Sequence, residues 1–144
     1  TGSDHAGYEL KEKLKAYLSS LNHEIEDCGA FTLDNDDDYP DFIQPVAEKV
    51  AQNPESFGII LGGSGQGEAM CANHVAGARA SVYYGGTRDM IRITREHNNA
   101  NILSLGARFI TEEEAQQAVE LFLTTKFSDE PRHLRRITKL DSSN

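Results

Sequence analysis

The sequence predicts an α/β domain in which a mostly parallel sheet of five strands lies between two layers of helices, followed by a basic C-terminal helix. Three observations predict it. Strand-like and helix-like patterns alternate along the whole chain, and strands separated by helices pair in parallel through crossover connections. The apolar run Gly58-Ile59-Ile60-Leu61 passes straight into a glycine loop, Gly62-Gly63-Ser64-Gly65-Gln66-Gly67, ahead of a helical pattern. Finally, 144 residues with 38% hydrophobic content can fill one core, so residues 1–144 are expected to form a single domain.

Each element follows from its own pattern. Leu10, Leu14, Tyr17, Leu18 and Leu21 recur at helical spacing, giving a first helix over about Tyr8–Ser20. His23 to Cys28 alternates polar and apolar and reads as a strand ending at Gly29. Phe42, Ile43, Val46, Ala47 and Val50 make the next helical stripe, with Pro40 at its start, where a missing N–H does no harm. After the glycine strand comes a helix over about Gly67–His74, then a strand from Ala78 to Tyr84. Thr87 can cap a helix carrying Met90, Ile91 and Ile93, and Asn101 to Leu105 is another strand. Thr111-Glu112-Glu113-Glu114 matches a capping box before Ala115, Ala118, Val119, Phe122 and Leu123. The basic helix covers about Arg132–Leu140. A doubly wound sheet begins with a strand, whereas Gly2-Ser3-Asp4-His5 already reads as a strand-to-helix loop. Only the end of a first strand is therefore expected in this sequence.

Composition excludes several classes. A net charge of −9 argues against nucleic acid as partner, because phosphate backbones require a basic face. No apolar run approaches the length of a membrane span, so no membrane partner is expected. The chain opens without a basic and apolar leader, and Cys28 and Cys71 form neither a metal spacing nor a disulfide framework. The expectation is a cytoplasmic protein with packed, inert cysteines.

Ligands of open parallel sheets bind at the carboxyl ends of the strands, which here hold Asp4, His5, the glycine loop and Arg108. Glycines allow main-chain N–H groups to converge on anionic oxygens. The loop is neither a P-loop, since Glu68 stands where a lysine is wanted, nor a dinucleotide fingerprint, since Gly63, Gly65 and Gly67 alternate. It suits a small anionic or polyol ligand. Asp4 can be a helix cap or a ligand-binding group, and His97 can serve the helix dipole or catalysis. Arg132 and Arg136, four apart, share a helix face and can either grip a phosphate or form a solvated surface. The run Asp34 to Asp41 lacks the glycine and glutamate of a calcium loop and reads as a solvated loop capping the next helix.

Taken together these residues resemble the RpiB/LacAB family of sugar-phosphate isomerases. The likeness runs through Gly2 to Tyr8, Asp37-Asp38-Tyr39-Pro40, Gly62 to Glu68 with Ala72-Asn73, Gly77-Ala78-Arg79, Arg95 to Asn99, Gly106-Ala107-Arg108, and Arg132-His133 with Arg136. The resemblance implies a three-layer Rossmann-like domain that interconverts D-ribose 5-phosphate and D-ribulose 5-phosphate. Galactose 6-phosphate or allose 6-phosphate isomerisation is the alternative, and a noncatalytic sugar-phosphate-binding module is a further one. It also implies that no metal or organic cofactor is used, and that a homodimer, or a tetramer, shares its sites between protomers. Many members carry a cysteine base where this chain has Gly62; a second subgroup has a glutamate where Glu68 stands, and that glutamate is the base. Carried over in the same way, His97 opens the sugar ring with Asn98 beside it, and Asp4 and His5 bind substrate. Gly63, Ser64, Gly65, Gln66 and Gly67 line the site, and Arg108, Arg132 and Arg136 hold substrate or phosphate, with His5 and His133 assisting. The chemistry would pass through a cis-enediolate whose charge is met by main-chain N–H groups.

Overall fold

The computed structural model describes residues 1–142 of the chain. Four strands, β1 (Gly2–Ser3), β2 (Gly58–Gly62), β3 (Ala80–Tyr83) and β4 (Ile102–Gly106), alternate with six helices. The helices are α1 (Tyr8–Ser20), α2 (Pro40–Gln52), α3 (Gln66–Ala72), α4 (Asp89–Asn98), α5 (Glu112–Thr124) and α6 (Pro131–Asp141). All strand pairs are parallel, in the spatial order β1-β2-β4-β3.

The strand period of two sorts the core into two layers. Ile59 and Leu61 of β2, with Leu103 and Leu105 of β4, face Leu14 and Leu18 of α1, Ile91 of α4, and Ala118, Val119 and Phe122 of α5. Ile60 and Ile102 face the other way, onto Ile43, Val46, Ala47 and Val50 of α2 and Ala72 of α3. Both faces of β2 and β4 are thus covered, which is why β2 reads as an apolar run and β4 as one interrupted only by the buried Ser104. Each buried Leu, Ile, Val or Phe side chain contributes roughly 1.5–3 kcal/mol by burial. At α5 the capping box forms in full: Glu114 N–H donates to Thr111 Oγ1 at 3.2 Å, and Thr111 N–H to Glu114 Oε2 at 2.8 Å.

The sheet has four strands among the described residues, where five were expected. Residues His23–Cys28 do not form a regular strand. Their neighbour β1 is two residues long, and the bonds between the segments are the Thr1 amino group to Glu26 O, Cys28 N–H to Thr1 O, Ser3 N–H to Gly29 O and Ala30 N–H to Ser3 O. Gly29, at φ +106°, turns the chain away just where a ladder would continue.

One topological consequence governs the site. Each helix after a strand runs back from the carboxyl edge of the sheet to the amino edge. At ten residues, α4 spans about 15 Å, so its last turn, with His97 and Asn98, emerges at the amino edge. There Asn99 O accepts from Arg79 Nε, and Asn101 O accepts from Gly58 N–H at the start of β2.

Candidate active site

At the carboxyl edge, β2 delivers Gly62 into the turn that starts α3. Gly65 takes a left-handed conformation, φ +76°, and its carbonyl accepts from the buried Ser104 Oγ at 2.7 Å. The loop is pinned to β4 by Ala107 N–H to Gly62 O at 2.9 Å and Arg108 N–H to Gly63 O at 3.1 Å. Gln66 N–H turns to Ser64 Oγ at 3.3 Å. Among the described residues, the N–H groups of Ser64 and Gly65 meet no acceptor. They are free donors, as a nest for anionic oxygen needs.

Glu68 is buried in the first turn of α3, and its carboxyl folds back over the end of β2. A Cβ on Gly62 would overlap the Glu68 carboxyl carbon and both of its oxygens. The carboxylate thus takes the space that any side chain at 62 would need. Burial pushes its pKa above the usual carboxylate range, opposed by a hydrogen bond from its own N–H and reinforced by Asp4. A base raised in this way sits closer to neutral working pH.

Asp4 acts on this carboxyl, and His5 and Arg108 lie along the same edge. Asp4 Oδ1 accepts from Ala6 N–H at 3.0 Å and Gly7 N–H at 3.2 Å, so the turn into α1 engages that oxygen. His5 Nδ1 lies 2.7 Å from Asp37 Oδ1 and 4.0 Å from Asp4 Oδ2. The hydrogen bond with Asp37 raises the His5 pKa, with Asp4 adding to it and burial and Arg108 opposing. The Arg108 guanidinium lies over Gly63, 3.2 Å from the position of a Cβ there, and Tyr39 packs its ring against Gly67.

The other expected site residues lie at the amino edge. The rings of His97 and His133 stack with centroids 4.4 Å apart at 11°. His133 is buried, and that burial, with His97 and Arg132 nearby, lowers its pKa. Its Nε2 accepts from Arg132 Nε at 3.3 Å, and Arg132 Nε is also 3.0 Å from Glu130 Oε2. Arg132 and Arg136 are exposed on α6, and Asn98 is exposed at the end of α4.

The structure therefore gathers Asp4, His5, Gly63, Ser64, Gly65, Gln66, Gly67, Glu68 and Arg108 at one edge, and His97, Asn98, Arg132, His133 and Arg136 at the other. Within one chain the two groups do not meet. Three further residues emerge from the coordinates: Asp37, Ser104 and Tyr39. The acidic run reads in sequence as a solvated loop capping α2, yet the Asp37 side chain is only 7% exposed and points at His5, and α2 has no side-chain cap. A cavity of about 580 Å³ between β2 and the His23–Cys28 segment, lined by Ile25, Val46, Phe57 and Ile59, contains none of these groups.

Residues 1–140 match the family model described as Ribose/Galactose Isomerase. Ribose-5-phosphate isomerase B of Mycolicibacterium paratuberculosis is 47% identical over 136 residues, covering 94% of this chain and 84% of the relative. The crystal structure of a ribose 5-phosphate isomerase from Thermotoga maritima superimposes with a TM-score of 0.90 at 44% identity, over 97% of this chain and 94% of that one. Ribose-5-phosphate isomerase B from Mycoplasma genitalium, crystallised with bound ribulose-5-phosphate, gives 0.91 at 37% identity, over 98% and 91%.

Proposed function

This chain belongs to the ribose/galactose isomerase family, a family of enzymes, and within it we propose that the chain interconverts D-ribose 5-phosphate and D-ribulose 5-phosphate. The observation that carries this reading is the buried Glu68 carboxyl folded over Gly62, beside free main-chain donors. The substrate follows from relatives up to 47% identical that bear the name ribose-5-phosphate isomerase B, and from the ribulose-5-phosphate bound to the Mycoplasma genitalium protein. The reaction would belong to the non-oxidative branch of the pentose phosphate pathway, in the cytoplasm.

Moving a proton between C2 and C1 of an open-chain sugar requires a positioned base and a receptor for the developing oxyanion. Glu68 is the base, and burial gives it the raised pKa that suits the task. Main-chain N–H groups at Ser64 and Gly65 receive the enediolate oxygens, each donor worth about 3 kcal/mol in the transition state. Ring opening falls to His97, with Asn98 beside it, and His133 supports His97 by stacking. Asp4, His5 and Arg108 bind the sugar, while Arg132 and Arg136 hold the phosphate and spend its binding energy on orientation.

Base and ring-opening histidine lie at opposite edges of the sheet within one chain. Hence the working unit is a two-fold dimer, with the amino edge of one protomer facing the carboxyl edge of its partner. A coupled assay with ribose 5-phosphate in the presence of a chelator tests the activity: turnover that survives chelation supports the reading, and none on this substrate overturns it. The family description also names galactose, so a six-carbon aldose phosphate is the second reading. Rates on ribose 5-phosphate and allose 6-phosphate, measured side by side, separate the two.

A further inference from the structure

The loop that carries Asp37 performs no task in the mechanism above, yet it places a carboxylate against His5. Asp37 Oδ1 accepts from His5 N–H at 3.1 Å and lies 2.7 Å from His5 Nδ1. One oxygen thus holds both the main chain and the ring of the same residue. The Asp37 side chain is 7% exposed, and its second oxygen, Oδ2, is buried with no hydrogen-bond partner among the described residues. A buried carboxylate with an orphaned oxygen is costly to keep for stability alone. Nor does it serve the local fold, since α2 begins without a side-chain cap.

We propose that Asp37 is a positioning residue for His5: it binds the imidazole through Nδ1–H, fixes the ring, and leaves Nε2 as the atom that meets the sugar phosphate. A carboxylate on one ring nitrogen decides the tautomer, because Nδ1 must carry the proton that Oδ1 accepts. The orientation follows too, since the main-chain bond from His5 N–H fixes Asp37 relative to the ring it holds. The charged groups facing His5 are Asp37, Asp4 at 4.0 Å and Arg108. The two carboxylates favour the protonated ring and the guanidinium opposes it; with Nδ1–H held by Asp37, Nε2 donates to an anionic or hydroxyl oxygen when the ring is protonated and accepts from a sugar hydroxyl when it is neutral. What His5 does to substrate rests on the isomerase reading; the pair itself does not.

The test uses Asp37→Asn and Asp37→Ala in the full chain. Asparagine keeps an acceptor for both bonds but removes the charge, whereas alanine removes the bonds as well. Nitrogen-15 NMR titration of labelled histidine, with His5 assigned by a His5→Gln variant, should show the wild-type ring protonated at Nδ1 throughout. It should also show the His5 midpoint moving down in Asp37→Asn. For activity, Asp37→Ala should lower kcat/KM about 10- to 100-fold, Asp37→Asn less, and neither should lower it further in the His5→Gln background. An unchanged His5 titration in Asp37→Asn overturns the proposal, as does an undiminished Asp37 effect in the His5→Gln background. If the protein fails to turn over ribose 5-phosphate at all, the isomerase reading fails while the titration still decides the pair. Should Asp37→Ala not fold, Asp37→Asn carries both arms.

Discussion

The Glu68 carboxyl occupies the volume that a side chain on Gly62 would fill. That single relationship explains why the strand of a reactive loop ends in glycine, and it ties the candidate base to a fixed wall of the sheet. Gly62 is the last residue of β2 and pairs with Gly106 of β4, so the wall is part of the ladder. A base held against a rigid strand keeps its aim better than one held by a mobile loop.

Gly62→Ala tests this relationship without touching the carboxyl. The three atoms nearest the new methyl group all belong to the far end of the flexible Glu68 side chain, so the fold should survive. Glu68 must swing away, and kcat should fall about 100-fold with KM changed far less. Wild-type kcat in Gly62→Ala would show that the observed position of Glu68 is not the one that matters.

Sharing of the site between protomers predicts complementation. Glu68→Gln and His97→Ala variants, each nearly inactive, should recover activity when unfolded and refolded together. Half of the dimers formed at random are mixed, and each mixed dimer has one intact site, so recovery should reach roughly a quarter of the wild-type rate. Recovery of nothing, with mixed dimers demonstrated by mass, would place both residues in a site built by one chain.

Arg132 is exposed on α6 and held in place by Glu130 at 3.0 Å. If it grips the phosphate of the substrate, Arg132→Ala should raise KM for ribose 5-phosphate by about tenfold or more, with a smaller loss in kcat. An unchanged KM would remove α6 from phosphate binding.

Much of this arrangement is legible in the sequence, and the exceptions have physical reasons. The glycine loop, the capping box at Thr111 and the apolar stripes of α1, α2 and α5 follow from local rules, which the core obeys. The segment His23–Cys28 has strand-like alternation, but a strand needs a neighbour, and β1 offers two residues. Asp37 sits in an acidic run, Asp34-Asn35-Asp36-Asp37-Asp38, whose composition is that of any solvated loop. The acidic composition does not single out the one carboxylate that turns inward to His5, although one stretch of the family likeness begins at Asp37 and assigns it no role. The separation of Glu68 from His97 is a property of chain direction: it becomes visible once β3 and α4 are placed, because α4 must return to the amino edge.

The pH dependence of Glu68 follows from its burial. Its folded pKa lies above the unfolded value of about 4.3, so between those two values the native state binds more protons than the unfolded state. Stability therefore falls as pH rises through that window, while activity rises, because the base must be ionised to accept a proton. Glu68→Gln has no such loss, and its Tm should equal or exceed that of the wild type at pH 8, with the difference closing toward pH 4.

The most direct measurement is turnover of ribose 5-phosphate by Glu68→Gln, alongside its affinity for ribulose 5-phosphate by calorimetry. With Glu68 as the base, kcat falls at least about 100-fold while the dissociation constant stays within a few-fold of the wild type. Turnover close to the wild-type rate in this variant would contradict the account, because the proton would then be taken by another group.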